Sequence, residues 1–300
     1  MKARTDQIKL PWLTDYGIEL YLRREDLLMP ALSGNKYRKL KFNLEEAKRR
    51  GLSRLLTFGG AYSNHIHATA AAGKLFGFEA VGFIRGDELS ARQLNPTLQD
   101  AQDNGMQLIF LSRSEYDKRH FQDFQDQLLK LYGPGYVIPE GGTNDFAIAG
   151  CAEILQPVDV EYNLICCAVG TGGTLAGLVR SSGTPQKVRG YMALKGVGFR
   201  SQLETIIPHR NWELVDRYHF GGYAKVTREL IAFVNDFKSQ TGVTLDPVYT
   251  GKLIYGILDD IRNFRIPSNS KILAIHTGGL QGIRGINQQL AKKALPLLEL

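Results

Sequence analysis

Leu164-Ile165-Cys166-Cys167-Ala168-Val169-Gly170-Thr171-Gly172-Gly173-Thr174 is the stretch whose character decides the fold. Six apolar residues in succession suit a strand covered on both faces, as in a parallel sheet flanked by helices. A glycine-rich turn follows, and Thr174–Ser181 continues with helical spacing. A strand that passes through such a turn into a helix gathers backbone N–H groups at one spot, where the helix dipole favours an anion. No Lys-Ser/Thr pair follows, so the loop is not a Walker motif, and the glycine spacing departs from the dinucleotide pattern. A phosphate is the expected occupant, of a kind the loop leaves open.

The same junction recurs on either side. Strands are expected at Arg54–Phe58, Ala80–Ile84, Gln107–Leu111, Val188–Ala193 and Lys271–His276. Helices are expected at Ser63–Phe76, Pro96–Asn104, Ser114–Tyr132, Asn144–Ile154, Ala224–Thr241, Gly251–Phe264 and Gly279–Gln289, with a further helix over the basic run Lys36–Arg50. In that run Glu45 and Glu46 stand one turn before Arg49 and Arg50 as supporting pairs. Glycine pairs mark strand ends at Gly59-Gly60, Gly141-Gly142, Gly221-Gly222 and Gly278-Gly279. This alternation predicts an α/β protein with mainly parallel sheets. Ligands of such sheets bind beyond the carboxyl ends of the strands, so the repeated junctions point to one shared site in a cleft between two open, twisted sheets. The expected domains are a large one from residues 1–45 and 150–300 and a small one, 46–149, inserted in it.

Composition sets the outer bounds. The chain has 300 residues, 43% hydrophobic and 22% charged, as in ordinary globular proteins. The formal net charge of +7 and pI near 9.2 come from dispersed Lys and Arg with no accompanying nucleic-acid module, so no nucleic-acid partner is expected. The positive balance suits an anionic cofactor and a carboxylate substrate. No window reaches the roughly 20 apolar residues a membrane span needs, and the start MKARTDQIKLPWL has no signal-peptide pattern. Cys151, Cys166 and Cys167 show no metal spacing and read as buried thiols, which suits a cytoplasmic protein. His65 and His67, two apart on a helix, do not face together, so no metal is expected.

Within Ser33-Gly34-Asn35-Lys36-Tyr37-Arg38-Lys39-Leu40, Gly34 and Asn35 make a turn that presents Lys36 at a helix start, among other cations. A desolvated, electropositive surrounding lowers an amine's pKa and makes it a nucleophile. This run resembles the lysine segment of the tryptophan-synthase-β-like (fold type II) enzymes that use pyridoxal 5′-phosphate (PLP). Within them the chain is most similar to the branch of 1-aminocyclopropane-1-carboxylate (ACC) deaminases and D-cysteine desulfhydrases. The resemblance spans most of the chain: LxRREDLLMPALSGNKYRKL in the N-terminal part, GGAYSNH at 59–65, PEGGTN at 139–144, the glycine loop at 170–174, LDPVYTGK at 245–252 and HTGG at 276–279, in that order.

The resemblance implies roles. Lys36 would carry PLP as a Schiff base and move protons at the substrate carbon. Lys39 and Gly170, Thr171, Gly172, Gly173 and Thr174 would hold the phosphate, and Asn64 the ring's phenolic oxygen. Ser63, with the amides of Asn64 and His65 at a helix start, would receive the substrate carboxylate. Ser63 also suits an N-cap. Tyr249 and Tyr223 would line the site. Members of this group are usually homodimers.

The ACC deaminases carry Glu after the DPVY tyrosine and Leu before the final Gly-Gly; this chain has Thr250 and Thr277 there, as the desulfhydrases do. A carboxylate keeps a pyridine nitrogen protonated and a hydroxyl does not, so Thr277, the first candidate to face that nitrogen, leaves a milder electron sink. β-Elimination of a good leaving group from a small D-amino acid such as D-cysteine is therefore the expected reaction. ACC deamination, a dehydratase or racemase of the same fold, and PLP binding without turnover are its rivals. Where the family often has Arg and Gln after SNH plus one residue, this chain has His67 and Ala68, a departure at the substrate end.

Overall fold

The chain begins with strands β1 (Thr5–Ile8) and β2 (Glu19–Arg24) and helix α1 (Asn35–Arg49). It continues through β3 (Arg54–Gly59), α2 (Asn64–Phe76), β4 (Glu79–Arg85), α3 (Pro96–Asp103), β5 (Met106–Leu111), α4 (Arg113–Tyr116), α5 (Gln122–Tyr132) and β6 (Tyr136–Ile138). Helix α6 (Asp145–Ala152) leads to β7 (Leu164–Val169), α7 (Gly173–Ser181), β8 (Lys187–Met192), α8 (Phe199–Ile206) and β9 (Trp212–Val215). Helices α9 (Arg228–Thr241) and α10 (Thr250–Arg262), strand β10 (Lys271–His276) and helix α11 (Ile283–Lys292) complete it. The structure is a computed structural model that describes residues 1–32, 34–196, 199–208 and 211–299, so Ser33 of the lysine run lies outside the described residues.

Two sheets form, ordered β1-β2-β10-β7-β8-β9 and β5-β4-β3-β6. Every pairing is parallel except that of β1 with β2. The apolar run of β7 is explained by its two faces. Leu164, Cys166 and Ala168 enter one core with α9 and α10 residues such as Leu230 and Ile257. Ile165, Cys167 and Val169 enter another with Leu175 and Leu178 of α7. In the four-stranded sheet, Leu55 of β3 packs with Leu40 and Ala68, whereas Leu56 and Phe58 pack with Tyr116 and Leu128. Both sheets are therefore helix-covered layers of the α/β type.

Several elements depart from the expected pattern, each for a local reason. Strand β2 was not expected because Arg23 and Arg24 break its apolar face, yet both are buried and paired, Arg23 with Asp159 and Arg24 with Asp26 at 2.7 Å. Strands β1, β6 and β9 are three or four residues long and too short to show periodicity, and α8 also went unforeseen. The single helix expected over Ser114–Tyr132 divides into α4, a 3₁₀ turn at Asp117–His120, and α5. Helix α9 starts at Arg228, after the expected Ala224, because the Thr227 hydroxyl caps it by accepting from the Leu230 N–H. Glu46 alone takes both supporting pairs of α1, with Arg49 and Arg50 at 2.6 Å each. Among the described residues no helix is long and apolar enough to cross a membrane.

Candidate active site

Helix α1 brings Lys36 to the carboxyl ends of both sheets, and a glycine makes this approach possible. Gly34 has φ +66°, and a Cβ there would lie 2.3 Å from the Thr277 carbonyl oxygen, so any larger residue would push the helix start away. The Asn35 N–H donates to that oxygen (3.2 Å), and the Asn35 side chain donates to Thr174 Oγ1 (2.8 Å). The start of α1 is thus tied both to the segment after β10 and to the first turn of α7. The Lys36 amine donates to Asn35 Oδ1 at 3.4 Å.

Lys39, one turn on, is 3% exposed. Its ammonium donates to Gly141 O (2.9 Å), Thr143 Oγ1 (3.1 Å) and Thr171 Oγ1 (3.3 Å). Gly141 and Thr143 follow β6 and Thr171 follows β7, so Lys39 joins loops from the two sheets. Gly172 has φ +85°, and a Cβ there would fall 2.1 Å from Leu203 Cδ2. Only glycine allows the chain to turn at this point into α7, whose first turn holds no acidic residue and no side-chain cap.

On the opposite wall Ser63 caps α2, its hydroxyl oxygen accepting from the N–H groups of His65 (3.2 Å) and Ile66 (3.3 Å). The His65 amide, expected to meet a substrate carboxylate, is therefore engaged by Ser63. The His65 side chain turns toward β3. The Thr57 hydroxyl donates to Ile138 O (2.9 Å), which leaves its oxygen to accept from His65 Nε2 (2.7 Å). Burial, reinforced by Lys36 and Lys39, holds this imidazole well below its ordinary pKa and hence neutral. His67 faces away from His65, with Nε2 3.6 Å from Asp100. Asn64 Oδ1 accepts from Gln281 Nε2 (2.7 Å), which orients its amide.

Tyr249 and Tyr223 meet edge to face with centroids 6.3 Å apart. Burial pushes the Tyr249 phenol well above its ordinary pKa. Asp246, 1% exposed, fixes the Tyr249 turn by accepting from the N–H groups of Val248 (3.0 Å), Tyr249 (3.0 Å) and Thr250 (2.8 Å). The Thr250 hydroxyl belongs to the same knot, at 2.8 Å from Asp246 Oδ1, and is not among the groups lining the cavity. The structure thus does not bring Thr250 to the place expected of it, because the Asp246 carboxylate holds it. Thr277, by contrast, does line the cavity.

One cavity gathers Lys36, Lys39, Ser63, Asn64, His65, Gly170, Thr171, Gly172, Thr174, Tyr223, Tyr249 and Thr277, with Gly173 just behind at the start of α7. Asn35, Gly141, Thr143, Asp246 and Gln281 complete or support it and were missed in the sequence. Thr143 and Gly141 lie in PEGGTN and Asp246 in LDPVYTGK, so their motifs signalled them. Gln281 has no such signal, because its role depends on a contact 217 positions away.

The electrostatics favour an anion and a reactive amine. Lys39 is a buried cation with only neutral acceptors, and among the described residues no carboxylate pairs with it. Beside it lie the uncapped amides of α7. This donor set lacks an anion and fits the phosphate of PLP. Burial, then the charge of Lys39, lowers the Lys36 pKa to about 7. The neutral amine fraction therefore grows as pH rises through about 7. PLP capture by the apoprotein is expected to accelerate between pH 6 and 8 and then level off; stopped-flow absorbance would show this, and a rate still climbing toward the 10.5 of an ordinary lysine would contradict it.

Comparison with known proteins agrees with this geometry. Residues 2–191 match the family model described as pyridoxal-phosphate dependent enzyme. A protein of Thermotoga maritima, provisionally named 1-aminocyclopropane-1-carboxylate deaminase, is 33% identical over 92% of this chain and 93% of its own length. The mitochondrial bifunctional D-cysteine desulfhydrase/1-aminocyclopropane-1-carboxylate deaminase of Arabidopsis thaliana is 32% identical over 94% of this chain and 77% of its own. The crystal structure of an ACC deaminase homologue superposes with a TM-score of 0.84 at 29% identity, covering 97% of this chain and 94% of the other. With the sheet order, the lysine-bearing helix and the phosphate-ready loop, these matches place the chain in the fold type II PLP-dependent enzymes, in the ACC deaminase/D-cysteine desulfhydrase-like family.

Proposed function

We propose that this enzyme catalyses β-elimination from a small D-amino acid, D-cysteine or a close analogue, the leaving group departing with the electron pair of its β-carbon bond and water then hydrolysing the eliminated product to a keto acid and ammonia. The observation that carries the proposal is that Thr277, a neutral hydroxyl, lines the same cavity as Lys36, whereas the nearby carboxylates of Asp246 and Glu140 border adjoining cavities.

Bound PLP supplies an electron sink for the bonds at the substrate's α-carbon. Lys36 would hold it, Lys39 and the loop from Gly170 to Thr174 would bind its phosphate, and Asn64, oriented by Gln281, would donate to its phenolic oxygen. Thr277 would face the ring nitrogen. A neutral hydroxyl there does not hold a proton on that nitrogen as a carboxylate would, which suits departure of a stable thiolate better than opening of a cyclopropane. The Thr250 hydroxyl acts indirectly, by closing the Asp246 knot that sets Tyr249.

Ser63 can bind a substrate carboxylate while capping α2. Its oxygen accepts the two helix N–H groups, and its hydroxyl proton stays available as a donor. The Asn64 amide at the start of α2 adds a second donor, with the helix dipole favouring the negative charge. Lys36, neutral for a large fraction of molecules near pH 7, would take the α-proton. Tyr249, whose phenol stays protonated, is placed to orient the substrate, with Tyr223 beside it.

Keto-acid release from D-cysteine and from ACC, assayed side by side on the PLP-loaded protein, tests the proposal. Pyruvate from D-cysteine with no 2-oxobutyrate from ACC is expected; 2-oxobutyrate from ACC with no pyruvate from D-cysteine would overturn it.

A further inference from the structure

Lys252 is 2% exposed in the first turn of α10. Its ammonium donates to Ala193 O (3.2 Å), His219 O (2.9 Å) and Gly222 O (2.8 Å). These three acceptors use all three N–H bonds of the ammonium. Burial lowers its pKa to about 8, against the opposing charge of Asp246, so it is mainly charged at neutral pH. Its side chain has no ion pair among the described residues. An apolar residue would avoid the desolvation of this charge, but it would take the charged donor from all three carbonyls, leaving His219 O and Gly222 O only the backbone N–H groups of Gly222 (2.9 Å) and Lys225 (3.2 Å).

What the ammonium grips is informative. The segment between β9 and α9 has positive φ at Phe220 (50°), Gly221 (93°), Gly222 (121°) and Ala224 (53°). Such a run is strained for L-residues and keeps its shape only when its surroundings impose it. Inside the run stands Tyr223, whose amide is bonded to the gripped Gly222 carbonyl and whose ring meets Tyr249 at the cavity wall. Tyr249 immediately precedes α10 and is set by Asp246. One helix start therefore carries Tyr249 directly and holds Tyr223 through Lys252.

We propose that Lys252 is a positioning residue: its ammonium clasps the Gly222 and His219 carbonyls and so sets Tyr223 against Tyr249 in the active site. The catalytic half of this proposal rests on the functional reading above; the clasp itself does not. The test combines steady-state pyruvate formation from D-cysteine with hydrogen exchange, both on PLP-loaded enzyme. Lys252→Met is expected to retain bound PLP by absorbance, to exchange amides 219–225 faster, and to lose about 10- to 100-fold in kcat. Tyr223→Phe should lose a similar amount, and Lys252→Met should add little on that background, because both changes act through the placement of the Tyr223 hydroxyl at the cavity.

If Lys252→Met does not fold, Lys252→Gln, which keeps two donors, should show an intermediate loss and intermediate exchange. Unchanged exchange over 219–225 in the folded variant would overturn the clasp whatever happens to turnover. Faster exchange with unaltered kcat, or losses that multiply in the double variant, would overturn the positioning role. An inactive wild type, or a fully active Tyr223→Phe variant, would instead count against the functional reading, and the exchange result would still decide the clasp.

Discussion

Replacing Lys36 with alanine is expected to abolish the visible absorbance of lysine-bound PLP and to lower turnover by about a thousandfold or more, since in the proposed mechanism the variant would lose both the covalent anchor and the proton acceptor. The same change should stabilise the apoprotein at neutral pH. The Lys36 amine titrates near 7 in the folded protein and near 10.5 in an unfolded chain, so between these values the unfolded chain binds more protons. Stability from this group therefore rises with pH across that window, and at pH 7 the buried amine is a liability. Differential scanning fluorimetry of both apoproteins should place the alanine variant higher. An unchanged melting temperature with full loss of activity would mean that Lys36 is less desolvated than its surroundings indicate. Retained turnover would remove it from the chemistry.

Replacing Lys39 with methionine is expected to raise the dissociation constant of PLP by about 10- to 100-fold, the range for losing one or two charge-assisted hydrogen bonds. Lys39 shares neutral acceptors with Lys252, but it joins loops of both sheets and lines the cavity beside the uncapped amides of α7. It is a cation held ready for an anion. Equilibrium titration of the apoprotein with PLP measures the change, and an unaltered affinity would place the phosphate elsewhere. Activity at saturating PLP should fall less than in the Lys36 variant, because in the proposed mechanism Lys39 would bind the cofactor and take no part in proton transfer.

Much of this was legible in the sequence where the physics is local. The continuous apolar run of β7 announced a strand buried on both faces, and the glycines after it announced the turn into α7. Gly34-Asn35-Lys36 announced an amine at a helix start. The illegible parts depend on pairings distant in the chain. Strand β2 carries two arginines that hydropathy assigns to the surface, and only their partners Asp159 and Asp26 allow them inside. The sequence placed Thr250 near the cofactor by its position in a motif, but Asp246, four residues earlier, holds its hydroxyl. Gln281 could not be found, because nothing near it in the chain shows that it orients Asn64. Lys252 stood in the quoted motif, but its function depends on carbonyls 30 to 59 positions away.

Borohydride reduction of the PLP-loaded protein, followed by peptide mass mapping, addresses the central claim most directly. The reagent fixes the cofactor to whichever amine carries it. A pyridoxyl mass on the peptide containing Lys36, absent from the Lys36→Ala protein, is the predicted result; the mass on Lys39, Lys252 or any other lysine would contradict it.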